Sequence, residues 1–167
     1  MYMKMLVAAM AFCCCAVSFA DDSYTSTYGS LVDDAGNITL PKDFRSDWAF
    51  LGTWSIAEED VETSSAASRH GAAGLHNVYT QRGVAEYFQQ NGKFPDGAVI
   101  VKELLKAVTA PMTTGTVSRG NVVEGWFVLV KDTEGRFSSN PLWGDGWGWA
   151  LFKTDHTNKP VTRNYKT

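Results

Sequence analysis

Ala98-Val99-Ile100-Val101-Lys102-Glu103-Leu104-Leu105-Lys106-Ala107-Val108 is a strongly apolar run, launched by the tight turn Phe94-Pro95-Asp96-Gly97 and interrupted by one charged pair. Pro and Gly stand at turn-favouring positions, and the run after them reads as a strand. Alternation along a strand puts Lys102 on the opposite face from Val101 and Glu103. Two readings of Lys102 follow. It lies on the solvent face of a half-buried strand, or its amine is held in an apolar pocket, where a lowered pKa makes it a nucleophile.

Outward from this run the pattern stays strand-rich. Val122 to Lys131 is the clearest strand by composition, closed by the hairpin-type turn Asp132-Thr133-Glu134-Gly135. The Thr-, Gly- and Ser-rich stretch from Thr109 to Gly120 between them reads as a loop. Leu75 to Tyr79 alternates as a strand does. Thr80 to Asn91 has helical spacing at Val84, Tyr87 and Phe88, with Gly92 as its stop. Further upstream, Ala49 to Ile56 reads as a strand and the polar stretch Ala57 to Ala73 as a surface loop. Pro41 opens a short helix, Lys42 to Trp48, after a turn at Asp33 to Asn37 and a short strand, Ile38 to Leu40. Downstream, Pro141 to Gly148 is Gly- and Trp-rich, and Trp149 to Lys153 is the last expected strand. The expectation is an α+β fold: a mainly antiparallel β-sheet with one or two packed helices, in a single domain spanning 38–167.

The N-terminal end bears on compartment. Lys4, an apolar run from Met5 to Val17, and Ser18-Phe19-Ala20 read as a cleaved secretory signal over residues 1–20, with 21–37 as a mobile leader. The run is shorter than the roughly 20 apolar residues of a membrane span. Cys13, Cys14 and Cys15 are the three cysteines, all inside this segment, so the mature part from Asp21 has no thiol for a disulfide or a thiolate metal site. The formal net charge is −3, and loss of Lys4 takes it to −4. An acidic, aromatic-rich domain without basic runs argues against nucleic acid or an anionic membrane as partner.

Chemistry-bearing motifs are sparse. His70, His76 and His156 form no close metal-binding pattern. His76, in a strand beside Asn77 and Tyr79, reads either as a hydrogen-bonded structural histidine or as a residue facing a ligand. No nucleophile elbow, phosphate loop or dinucleotide fingerprint occurs. Gly144-Asp145-Gly146-Trp147-Gly148-Trp149 precedes a strand, so it reads as a tight bend that brings two indoles near the core or a planar ligand.

Four blocks, in order, resemble one family. They are Leu40-Pro41-Lys42-Asp43-Phe44-Arg45 with Trp48 and Gly52-Thr53; His76-Asn77-Val78-Tyr79; Gly92-Lys93-Phe94-Pro95-Asp96-Gly97 running into Val99-Ile100-Val101-Lys102-Glu103; and Trp143 to Phe152. Together they resemble the cytochrome P-460 family, which includes the cytochromes c′-beta. The resemblance implies a periplasmic mono-haem c-type cytochrome with an antiparallel sheet and five-coordinate iron. Lys102 falls on the place of the lysine cross-linked to the porphyrin, and Phe94 on that of a pocket-lining aromatic. His76, Trp147 and Trp149 complete the expected haem surroundings. The implied activity is oxidation of hydroxylamine or a related small nitrogen compound, with electrons passed to an acceptor cytochrome. The alternatives are a non-catalytic binder of nitric oxide or another diatomic gas, and a haemless exported binding domain. A homodimer is a further expectation.

Members of that family continue to C-x-x-C-H, whose cysteines hold the haem and whose histidine ligates iron. This chain ends at Asn164-Tyr165-Lys166-Thr167, where that motif would begin. The expectation is a chain lacking its haem-attachment end, with no metal ligand of its own.

Overall fold

The computed structural model describes residues 28–57 and 71–166. The signal segment, its three cysteines, His70 and residues 58–70 of the expected surface loop lie outside the described residues.

Six antiparallel strands form one sheet in the order β1-β2-β3-β4-β6-β5. They are β1 (Ala49–Ala57), β2 (Ala72–Thr80), β3 (Val99–Met112), β4 (Gly115–Lys131), β5 (Trp143–Gly144) and β6 (Trp147–Lys153). Three short helices accompany them among the described residues: α1 (Tyr28–Leu31), α2 (Phe44–Asp47) and α3 (Val84–Asn91). The mainly antiparallel sheet agrees with the sequence-based fold class.

The central run makes two faces. Val99, Val101 and Glu103 are buried, while Ile100, Lys102 and Leu104 between them are half-buried. The buried face continues across the sheet through Val128, Val130, Ala150 and Phe152. Leu31, Val32, Ile38, Phe44, Leu142 and Trp143 pack over it and complete the core. Burying side chains of this size contributes about 1.5–3 kcal/mol each. The N-terminal stretch expected to be mobile therefore enters the core at its end: α1 forms from Tyr28, and Leu31 and Val32 are buried. Asn140 Nδ2 donates to the Ala35 carbonyl (2.9 Å) and the Trp143 indole to that of Gly36 (2.8 Å), which fastens this stretch down.

Several local expectations change. Thr109 to Gly120 is the distal half of the β3–β4 hairpin, with Met112 paired to Gly115 around the two-residue turn Thr113-Thr114. Pro111 is accommodated because, among the described residues, β2 pairs with β3 only as far as Lys106 and no ladder partner meets that side of the strand at Pro111. The helix expected from Thr80 begins at Val84, because Thr80 and Gln81 bond to β3 instead: Thr80 Oγ1 donates to the Val99 carbonyl, and Val99 N–H to Gln81 Oε1. The Lys42 to Trp48 helix shrinks to the single turn of α2, and Ile38 makes one bridge, to Val32, rather than a strand. The last strand starts two residues early, at Trp147.

Candidate functional site

The half-buried face of the sheet collects the chemistry. Register places Val78, Lys102, Phe127 and Leu151 in one row across β2, β3, β4 and β6. The next row holds Trp54, His76 and Leu104, and on the other side lies Ile100, Leu129 and Trp149. All of these except Trp54, which is 52% exposed, are partly covered. The result is an apolar and aromatic plane three rows deep that carries Lys102 and His76, with the exposed Lys153 at the far end of the His76 row.

Lys102 stands on this plane with its Nζ 5.0 Å from the centre of the Phe127 ring, a cation–π distance. Neither sequence reading of Lys102 is complete: its face is apolar, yet only partly closed. Its neighbour Glu103 points into the core, where Oε1 accepts from Arg45 Nε (2.9 Å), Arg45 Nη2 and the Trp126 indole (3.2 Å). The core thus pairs the carboxylate with Arg45, and among the described residues Lys102 has no acidic partner on its own side.

His76 lies one row away. Partial burial, and then the positive charge of Lys102, push its pKa below the ordinary histidine value, so the imidazole is neutral at pH 7. It makes no hydrogen bond among the described residues. Asn77, on the other face, is the residue bonded across strands, accepting from Thr53 Oγ1 at 2.7 Å.

Trp149 is on the same face, opposite Leu129, and its indole N–H is buried without an acceptor. A buried donor left unpaired costs about 1–3 kcal/mol. Trp147 and Phe94 form a separate contact further along. Phe94 packs edge-on to Trp147 (centroids 5.4 Å) and tilted against Phe88 of α3 (4.6 Å). Lys131 Nζ sits 4.8 Å over the Trp147 ring and donates to the Gly146 carbonyl. Trp147 is two rows from Lys102, roughly 14 Å along the strand direction. The structure therefore sets His76 one row to one side of Lys102 and Trp149 one row to the other, and places Phe94 with Trp147 at the end of the same face.

Trp54, Phe127, Leu129 and Leu151 belong to this surface and were not singled out from sequence. Once Lys102 is assigned a face, the parity of each strand would find them, but only with the pairing register in hand. Among the described residues no group of three or more His, Cys, Asp or Glu side chains is placed to hold a metal ion. No helix there is long and apolar enough to cross a membrane.

No curated protein matches the chain. The family profile for cytochrome P460 matches residues 41–167, which takes in every strand of the sheet, Lys102 and His76. By that match the chain belongs to the cytochrome P460 family, a family of haem cytochromes.

Proposed function

We propose that the Lys102 face holds the edge and one side of a haem, and that the protein oxidises hydroxylamine or a closely related small nitrogen compound in the periplasm. The observation that carries this reading is the Lys102 amine, without an acidic partner among the described residues, on a half-buried aromatic plane beside a neutral His76. The face fits a planar macrocycle. Its apolar rows match ring carbons, the orphaned Trp149 N–H is a donor for a polar substituent, and Lys102 offers a positive charge to an anionic one. Attachment is another matter: thioether bonds need cysteines, and the described residues include none.

A bound haem would supply redox-active iron able to take electrons from the substrate and pass them to an acceptor cytochrome. The chain's own contributions are positional and electrostatic. Lys102 meets the haem edge, and Phe127 beneath its ammonium limits where Nζ can go. His76, held neutral, is able to accept a proton released from the substrate. Leu104, Leu129 and Leu151 exclude water from that side, which strengthens each polar contact that remains. Periplasmic export rests on Lys4, the apolar run and Ser18-Phe19-Ala20.

The test is protein matured in a periplasm that contains haem-attachment machinery. A Soret band with hydroxylamine-dependent reduction of an acceptor is expected, and Lys102→Ala should keep the band while lowering turnover at least tenfold. A Soret-free spectrum overturns the cofactor assignment. A Soret band with nitric oxide binding but no turnover overturns the enzymatic part alone.

A further inference from the structure

Three segments far apart in sequence meet round an open cleft of about 860 Å³: residues 33–39, 139–142 and 158–163. That size suits a small organic molecule. Ile38 and Leu142 form its base, and both belong to the core that closes one face of the sheet. The cleft therefore lies on the side of the sheet away from Lys102.

Its walls are held by bonds already made. Asp33 accepts from the N–H groups of Ala35 and Asn37 and from the Asn37 side-chain amide. Asn140 is engaged at both ends, since Nδ2 donates to the Ala35 carbonyl and Oδ1 accepts from Leu142 N–H. On the third wall, Val161 N–H donates to the Leu151 carbonyl, and Thr162 Oγ1 accepts from Leu151 N–H, both at 2.7 Å. A ligand would meet a pre-formed site and spend little of its affinity on ordering it.

What the walls leave over is cationic. Lys159 and Arg163 line the cleft, and among the described residues neither has an acidic partner or a hydrogen bond. The Asn158 amide and the Ser139 hydroxyl are likewise unspent there. Asp33 is the one acid on the lining, and the N–H groups of its own turn already occupy both of its oxygens. The positive charge is local. Residues 156–167 hold Lys159, Arg163 and Lys166 and no acid, in a chain of net charge −3. A guanidinium and an ammonium beside neutral donors match phosphate or carboxylate oxygens.

We propose that this cleft is a second binding site, one for a small anion carrying two or more phosphate or carboxylate groups. The site does not depend on the haem reading, yet it bears on the same sheet. The segment with both cations is bonded to Leu151 through two successive residues, and Leu151 stands in the row of Lys102. A ligand that fixes residues 158–163 would steady the strand that ends that row. Both cations are exposed, so salt screens their pull. The affinity expected is a Kd of roughly 0.1–1 mM at low salt.

Calorimetric titration of the full chain with pyrophosphate and, separately, with citrate tests this. One or both should bind at one per chain, and K159Q/R163Q should weaken that binding at least tenfold while leaving the thermal unfolding of the free protein unchanged. Pyrophosphate alone assigns a phosphate ligand, citrate alone a carboxylate, and both together a site that reads charge. In amide NMR spectra, residues 158–163 and Leu151 should shift at saturation. No binding of either probe overturns the inference, as does binding that K159Q/R163Q leaves intact. Shifts centred on Lys102 instead of the three cleft segments also overturn it. Cleft shifts without a Leu151 shift overturn only the link to the Lys102 row.

Discussion

Lys102 and Glu103 are adjacent in sequence and opposite in circumstance. The carboxylate of Glu103 is 4% exposed and accepts three hydrogen bonds, while Lys102 is left on an apolar plane. Arg45 is half exposed and can rehydrate if Glu103 is lost, so Glu103→Ala should cost about 1–3 kcal/mol in chemical denaturation, below the cost of breaking a fully buried pair. Two other residues give stability a pH dependence. The folded pKa of His76 lies below its unfolded value, so its contribution turns unfavourable as pH falls below about 6.5. His76→Gln should flatten the stability profile below about pH 6.5. The Arg136 guanidinium, aided by Thr133 N–H and hydroxyl, holds Asp96 at about 2. Its folded pKa is depressed, so its stabilisation is complete above the ordinary aspartate value and is lost as pH falls toward 2. Asp96→Asn should remove that part of the acid transition and leave the His76 part in place.

Elements differ in how openly the sequence declares them. The apolar runs of β3 and β4 announce strands by composition, and Asp145-Gly146 announces the two-residue hairpin turn between β5 and β6, with φ of 54° and 77°. The distal half of the β3–β4 hairpin stayed hidden, because Pro111, Gly115 and four threonines over Thr109 to Gly120 resemble a loop more than a ladder. Pairing across strands is what holds them, and pairing is not written in either strand alone. The same reason divides the candidate site. The face of Lys102 was legible from alternation, whereas Phe127 beneath it and Trp54 beside His76 required the register. Two glycines separate backbone conformation from crowding. A Cβ at Gly146 meets the far end of the Lys131 side chain and, at ordinary contact distance, the Asp132 carbonyl oxygen, so Gly146→Ala should cost about 1 kcal/mol, mainly through its positive φ. A Cβ at Gly125 would sit 2.4 Å from the Phe152 carbonyl oxygen, where backbone must yield, and Gly125→Ala should cost about 3 kcal/mol. Thermal unfolding of the two variants side by side checks the order.

The molecule as a whole is a sheet with two unequal faces, one closed by the N-terminal stretch and the Leu142–Trp143 region, the other left for the site. Phe152 is fully buried on the closed face, so Phe152→Ala should cost about 3–5 kcal/mol. The same substitution on the open face, Leu151→Ala, should cost less and report instead on the Soret band. The strand order adds a kinetic consequence. Nearly every neighbour in the sheet is also a neighbour in sequence, so the β3–β4 hairpin can form early and the sheet can zip outward from it. The clasps of Ala35 and Gly36 to Asn140 and Trp143 span more than a hundred residues and demand the largest loop closure. In pulse-labelling during refolding, β3–β4 amides should gain protection first and the Asp33–Ile38 turn last: the earliest described residues to be synthesised are the last to be secured.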